Sequence, residues 1–503
     1  MTSAAPTTVA RHRTAISRGQ LSVPLQAAAR HGFLDGSKTV FDYGCGRGND
    51  LAILTVAGIT ATGWDPHFRP DAARSPADLV NLGYVLNVIE HPTERVDALR
   101  SAFELARQCM VVSVLTSGEE AAAGSQPWGD GLLSTRGTFQ KYFTQAEISE
   151  LIERALGEEA LTVGPGLFFV FRDKLEEQRF LANRHRRRQD ISHLLTLAPP
   201  TPEERSWQEW TQFDAERELV TAVWERMLEL GRLPALSELD LSTRESVTAR
   251  LRPVRRAARL AQIGFDSAQF HSARVARIED LRVYFALNLF NRRKPYTQLP
   301  QELQGDINAF FGSYSKAKEE GRELLFSLGD PGEILDACRQ ASDAGLGWLD
   351  GTHSLQLHVD LIDRLPATLR SYIGCAEKLY GDVDQADLVK IHIGSGKLTL
   401  LKHHDFEKNP LPRLRERVKI KLGEQDVDFF DYQDDPDPPY TYLKSRYMAA
   451  GQRGYATQRR FDAKLQRLGL FDFSEFGPSA GQFRLGLAKA GLAMNGRKLE
   501  RAQ

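Results

Sequence analysis

Residues 40–50, VFDYGCGRGND, run from an apolar strand that ends in an acid straight into three glycines at alternate positions, Gly44, Gly46 and Gly48. Where a parallel strand turns into a helix, a ligand reaches the backbone only if no Cβ stands in its way, and these glycines supply that clearance. A dinucleotide-binding turn would carry Gly or Ala one position further on, to seat pyrophosphate on the helix N-terminus. Asn49 stands there instead, and Asp42 precedes the turn, so a phosphate cradle is the weaker reading.

A carboxylate at Asp42 suits a ligand that carries a sulfonium and an ammonium group. The next apolar run, 59–64, ends in Asp65, 17 residues past Gly48, at the strand edge where a ribose-binding carboxylate belongs. Strand, acid, glycine triplet, helix, strand and acid in register read as a site for S-adenosylmethionine. The block 42–46 (Asp42, Tyr43, Gly44, Cys45, Gly46), Asp65 and Asn81 are its candidate residues. The plain alternative is a glycine-rich turn with unrelated acids.

Further along, 77–82 is a short apolar strand ending near Asn81, 96–107 has helical periodicity, and 110–115 reads as a buried strand. Thr144 and Glu147 predict a capping box for a helix through residue 156, and two apolar runs flanking Gly164-Pro165-Gly166 predict a closing hairpin. The expected fold class is α/β: a Rossmann-like domain, then a mostly helical region and a mixed α+β C-terminal region.

The segments RHRTAISR, VFDYGCGRGND, GWDPHFRP, ADLVNLGYVLNVIEHP, FQKYFT and FFVFRD, with KSRY near the C-terminus, resemble the family of DNA phosphorothioation-associated methyltransferases over nearly the whole chain. The resemblance implies a class I methyltransferase domain with a long C-terminal extension, in a bacterial DNA-modification and phage-defence setting. By the general pattern of such enzymes, Asp42, Gly44 and Gly46 hold the methionine portion of S-adenosylmethionine, Asp65 the ribose hydroxyls, and Asn81 lies near the sulfonium end. The chain departs from that pattern in one place. Only twelve residues separate Asp65 from Asp78, so the usual third strand is replaced by PHFRPDAARSP, leaving Pro66, His67 and Phe68 as candidates to pack on the purine.

The 503 residues should form about three domains. The divisions read from composition are a basic segment at 1–35, the methyltransferase domain at 36–175, a mostly helical region at 176–365 after which the chain turns mixed, and the α+β region at 366–503. No apolar run is long enough to span a membrane and no signal-peptide core is present, which predicts a cytoplasmic protein with no membrane partner. Cys45, Cys109, Cys338 and Cys375 are too dispersed for a zinc site or a disulfide framework, so no metal is expected. Cys45 reads as a small turn residue.

A net charge of −1 hides an uneven distribution. Residues 1–34 hold no acid but carry Arg11 and Arg13, and RHRRR supplies Arg184, Arg186, Arg187 and Arg188. A third cluster comprises Arg244, Arg250, Arg252, Arg255, Arg256 and Arg259. Arginines so grouped can neutralise phosphates, which makes nucleic acid a candidate partner, and the resemblance favours DNA along with proteins of a DNA-modification system. A solvated helix face whose charges pair on folding explains the clusters equally well. Gly394-Ser395-Gly396-Lys397 reads as a hairpin turn, and Asp437-Pro438-Pro439-Tyr440, although it matches the DPPY motif of amino-methylating enzymes, reads as a loop. Residues 116–137 and Tyr84 or Asn87 are candidates to cover or position an acceptor, with no catalytic residue identified. Open alternatives are a non-catalytic subunit that binds the cofactor, and a methyltransferase acting on RNA or a small molecule.

Overall fold

A computed structural model describes residues 9, 11–14, 19–116, 125–187, 207–292, 294–474, 476–495 and 498–501. Packing divides the chain into two compact units, one drawn from Met1–Phe180, Cys338–Ile362 and Tyr372–Gln503, the other from Leu181–Ala337 and Asp363–Ser371.

The first unit opens with helix α1 (Val23–Arg30) and the sheet strands β1 (Val40–Tyr43), β2 (Ala61–Trp64), β3 (Ala77–Gly83) and β4 (Ala106–Ser113), with α2 (Asn49–Val56) and α3 (Pro92–Leu105) as crossovers. A short three-stranded sheet, β5 (Gln126–Trp128), β6 (Gly131–Leu133) and β7 (Phe139–Gln140), precedes α4 (Gln145–Leu156), the hairpin β8 (Ala160–Gly164) and β9 (Leu167–Phe171), and α5 (Lys174–Arg184). The main sheet has the order β2-β1-β3-β4-β9-β8, parallel through β4 and antiparallel at the closing hairpin. A parallel sheet is covered on both faces, so its strands read as unbroken apolar runs. All four residues of β1 are buried accordingly. One face packs Phe41, Val80, Leu82, Met110, Val112 and Phe168 against Leu99, Ile148 and Ile152 of α3 and α4. On the other, Phe33 and His31, just past α1, lie edge-on to Phe169 at 5.4 and 5.5 Å. Each such buried aromatic stabilises the fold by ~3 kcal/mol or more against truncation to Ala.

As the short interval after Asp65 predicts, the usual third strand is absent among the described residues, and β2 forms the sheet edge, followed by a turn in which Asp65 bridges to Arg69. Thr144 caps α4 as expected, accepting from the Glu147 amide at 3.1 Å, but only half of the capping box forms. The Glu147 carboxylate pairs with Lys141 at 2.7 Å instead of returning to the cap.

The same unit holds a second, antiparallel sheet, β10 (Trp348–Asp350), β11 (Ser354–His358), β12 (Leu388–His392), β13 (Lys397–His404), β14 (Arg413–Lys421) and β15 (Asp426–Asp431), in sequential order. Gly394-Ser395-Gly396 forms the β12–β13 turn, with His392 paired to Lys397. The loop Asp437–Tyr440 packs away from any strand end of the first sheet: Tyr440 meets Phe483 at 5.7 Å and Asp437 pairs with Arg484 at 2.6 Å. Before β12, the chain touches the edge strand β8 of the first sheet. Gly381, at φ 102°, lies so close that a Cβ there would stand 2.2 Å from the Gly164 nitrogen. Beside it the Asp382 amide donates to the Val163 carbonyl at 3.2 Å, and the Asp382 carboxylate meets His31 at 2.8 Å.

The second unit is helical: α6 (Trp207–Ala215), α7 (Arg217–Leu230), α8 (Leu241–Arg250), α9 (Val254–Gly264), α10 (Ser267–Leu287), α11 (Gln301–Phe310) and α12 (Tyr314–Ser327). The continuous periodicity of 207–230 is broken at Glu216 into two helices that share one core, where Trp224 stacks on Phe265 at 5.3 Å. The Pro-rich stretch PPTPEERS, 199–206, whose prolines read as a boundary before the helical run, lies outside the described residues.

Candidate active site

The carboxyl ends of β1, β2 and β3 open into one cavity of about 420 Å³, and Asp42, Tyr43, Gly44, Cys45, Gly46, Asp65 and Asn81 all line it. Backbone geometry explains the glycines. Gly44, Gly46 and Gly48 have φ of 82°, 52° and 78°, and Gly48 in the left-handed region begins α2. A Cβ on Gly44 would stand 2.5 Å from Val85 Cγ2, so the turn closes on the neighbouring strand only if that residue is glycine. The Gly44 and Cys45 amides both donate to the Trp64 carbonyl, at 2.8 and 3.1 Å, which ties the turn to the end of β2.

Asp42 is buried at the bottom of the cavity and directly opposite Asn81 in the β1–β3 register. Asn81 Nδ2 donates to Asp42 Oδ1 at 2.8 Å, while Asn81 Oδ1 is buried with no partner. Burial pushes the Asp42 carboxyl up to about 7; the Asn81 hydrogen bond opposes the rise, and the charges of Asp50 and Asp65 add to it. The free site thus holds a carboxyl divided between acid and anion at neutral pH, which a cationic ligand would draw fully to the anion.

Asp65 shapes the rim. Its Oδ2 accepts from the Gly46 amide at 3.0 Å, and its Oδ1 accepts from the amides of His67 and Phe68 at 2.9 and 2.8 Å. A carboxylate oxygen accepts two hydrogen bonds, so Oδ2 keeps capacity for a hydroxyl. Pro66, His67 and Phe68 line the same cavity, in place of the missing strand. The Cys45 thiol is pushed up to about 12, first by burial and then by the Asp42 charge, so it carries no thiolate at neutral pH. Tyr84, at the end of β3, adopts φ 58°, a strained value for a side chain of its size, and faces the cavity; Asn87 is buried with its Oδ1 unpartnered.

Several lining residues carry no signal in the local sequence. Ser22 donates its amide to Asp50 at 2.9 Å, and Glu94 and Asp97 reach the cavity from α3. Arg11 also lines it, paired with Glu90 at 2.8 Å and with Glu94 at 2.7 Å. These partners, Glu94 foremost, hold its guanidinium above the ordinary arginine range.

The other candidate phosphate ligands are not gathered there. Arg186 pairs with Glu302 at 3.3 Å and donates to the Glu229 carbonyl at 2.7 Å, and Arg187 donates to the Asp363 and Leu365 carbonyls at 2.9 and 3.0 Å and pairs with Glu279. Arg184 ends α5. The Arg13 side chain, Arg188 and residues 117–124 of the candidate covering loop lie outside the described residues.

The strand order, with a glycine turn after β1 and an acid after β2, defines a Rossmann-like methyltransferase fold. Solved structures of that class are similar to part of the chain. A sugar N-methyltransferase from Streptoalloteichus shares 16% identity over 30% of this chain and 85% of its own, with a TM-score of 0.24. An amino pentose methyltransferase from Micromonospora echinaspora, solved with S-adenosylmethionine bound, shares 16% over 32% and 94%, with a TM-score of 0.24. The magnesium protoporphyrin IX methyltransferase of Synechocystis, solved with S-adenosylhomocysteine, shares 15% over 32% and 93%, with a TM-score of 0.22. No family model matches the chain, and no curated protein matches it. Among the described residues no helix is long and apolar enough to cross a membrane, and no cluster of metal-ligating side chains occurs.

Proposed function

We propose that the chain is an S-adenosylmethionine-dependent methyltransferase acting on nucleic acid, DNA in preference, in the cytoplasm and alongside proteins of a DNA-modification system. The observation that supports it best is the buried Asp42–Asn81 pair, a carboxyl and an orphaned amide oxygen facing a cavity whose ligand would satisfy both. That donor set fits a ligand with cationic groups. Asp42, Gly44 and Gly46 would hold the methionine portion, Asp65 the ribose, and Asn81 the region of the sulfonium. When bound, the cofactor supplies an electrophilic methyl group. The chain's own task is then to hold an acceptor in line and keep water out, which needs no acid or base. Tyr84, which lines the same cavity, would orient that acceptor. The preference for DNA rests on the family resemblance.

Calorimetric titration with S-adenosylmethionine, followed by transfer of a tritiated methyl group to DNA and RNA, tests the proposal. Binding with transfer to DNA is expected. Binding without transfer would replace the enzyme with a cofactor-sensing subunit, and no binding would remove the site.

A further inference from the structure

The antiparallel sheet has two unlike faces. Leu355, Leu357, Val389, Ile391, Leu398, Leu400, Val418 and Ile420 form one, almost wholly buried. Cross-strand register places polar residues in rows on the other. One row runs Gln356, Lys390, Thr399, Lys419, Asp428, and the next runs Ser354, His392, Lys397, Lys421, Asp426.

The cations of this face are unevenly compensated. Lys421 is held by Glu424, Asp426 and Asp428 at 3.4, 3.1 and 3.1 Å. Lys390, Lys397 and Lys419, half-buried around His392, have no ion-pair partner among the described residues; Asp350, in the neighbouring strand β10, is the carboxylate that acts on Lys390. Burial, and then the three ammonium groups, push the His392 imidazole down to about 4, so the ring stays neutral. Two polar side chains in the same rows, Ser354 and Gln356, are 1% and 3% exposed with their Oγ and Oε1 unpartnered, and Arg417 Nε is unpartnered as well.

Aromatic rings flank the lysines. Lys390 lies over the exposed Phe476 at 4.1 Å, Phe476 meets Trp348 edge-on at 5.5 Å, and Arg417 lies over Phe430 at 4.3 Å. Basic groups that track phosphates, interleaved with rings on which bases stack, are the requirements of an unpaired strand; duplex DNA hides its base faces. An acidic peptide would use the lysines but leave the rings without a role.

We infer that this face of the antiparallel sheet binds an unpaired polynucleotide strand, with Lys390, Lys397 and Lys419 on phosphates and Phe476 and Phe430 as stacking platforms. The inference rests on the nucleic-acid reading of the substrate and adds where the strand is held. The whole chain is titrated with fluorescein-labelled oligothymidylate and with its duplex at several salt concentrations. The single strand should bind more tightly. Lys390→Gln, Lys397→Gln and Lys419→Gln together should weaken it at least tenfold and flatten the slope of log affinity against log salt by about 2. Phe476→Ala should weaken it about tenfold. S-adenosylmethionine affinity should be unchanged in both variants, and the exposed pair Arg252→Gln, Arg255→Gln should bind like the parent. Should the triple variant fail to fold, acetylation of the parent with and without oligonucleotide decides: the three lysines must be protected. Unchanged binding by the triple variant, unprotected lysines or a preference for duplex would overturn this face as the docking surface while leaving the substrate reading in place. A parent chain that binds no polynucleotide would overturn both.

Discussion

The two sheets of the first unit place their polar groups in opposite ways. The parallel sheet is covered on both faces, so only its strand ends are available, and acids gather there: Asp42, Asp50 and Asp65 line one cavity. The antiparallel sheet covers one face with apolar packing and carries on the other the lysines and arginine of β12, β13 and β14, beside Phe430 of β15 and Phe476. A concave anionic hollow suits one small cationic ligand, and a half-buried cationic face suits an extended anionic one. Parallel pairing needs crossover helices that cover both faces, whereas antiparallel pairing joins its strands by turns and leaves a face for polar groups.

Asp65→Ala should break that contrast most. It removes the acceptor of three amides along with the expected ribose contact, so S-adenosylmethionine should bind tenfold weaker or worse, a loss of ~1.5–3 kcal/mol measurable by calorimetry. Unchanged affinity would mean that the cavity holds something else. Arg187→Gln tests whether positive charge alone makes a nucleic-acid contact. Because its guanidinium is held by Glu279 and by two carbonyls, the variant should lose ~2 kcal/mol of unfolding free energy in denaturant titration and bind oligonucleotide like the parent. A flatter salt dependence would return Arg187 to the phosphate ligands.

Asp42→Asn sharpens the cavity side through pH. In the folded chain this carboxyl titrates at about 7, against an ordinary 3.8 when unfolded. Between those values the folded chain binds more protons, so its contribution to stability is complete below about pH 4 and is lost as the pH rises to about 7. The amide removes that loss. Asp42→Asn should therefore melt higher than the parent at pH 8, by ~1 kcal/mol or more, while binding S-adenosylmethionine about tenfold more weakly. In the parent, cofactor affinity should decline as pH falls below about 7. Thr144→Ala, at a residue that does not line the cavity, should cost ~1 kcal/mol of stability through its lost helix cap and leave cofactor affinity untouched.

What could be read in advance follows the range of the interactions. VFDYGCGRGND is local: strand, acid and turn occupy eleven consecutive residues, and Asp65 follows at the spacing that one helix and one strand require. The short interval between Asp65 and Asp78 likewise announced the loss of the usual third strand. By contrast, Ser22 reaches Asp50 and Arg11 reaches Glu94 only through tertiary folding, and no periodicity marks such pairs. The lysine cluster was illegible for a related reason: Lys390, Lys397 and Lys419 become neighbours only once the register of β12, β13 and β14 is set. Arg186 and Arg187 mislead in the other direction, since a basic run gives no sign of the carboxylates and carbonyls that folding brings to it.

The close approach of Gly381 to Gly164 bears on how the chain can be dissected. A fragment trimmed to the methyltransferase-like segment alone, ending near residue 175, would strip the cover from the edge strand β8, free the Val163 carbonyl and leave His31 without its carboxylate. Bare strand edges recruit other edges, so such a fragment should self-associate more strongly than the whole chain. Shortened forms made for crystallisation or screening should keep residues 338–362 and 372–503 together with the first 180.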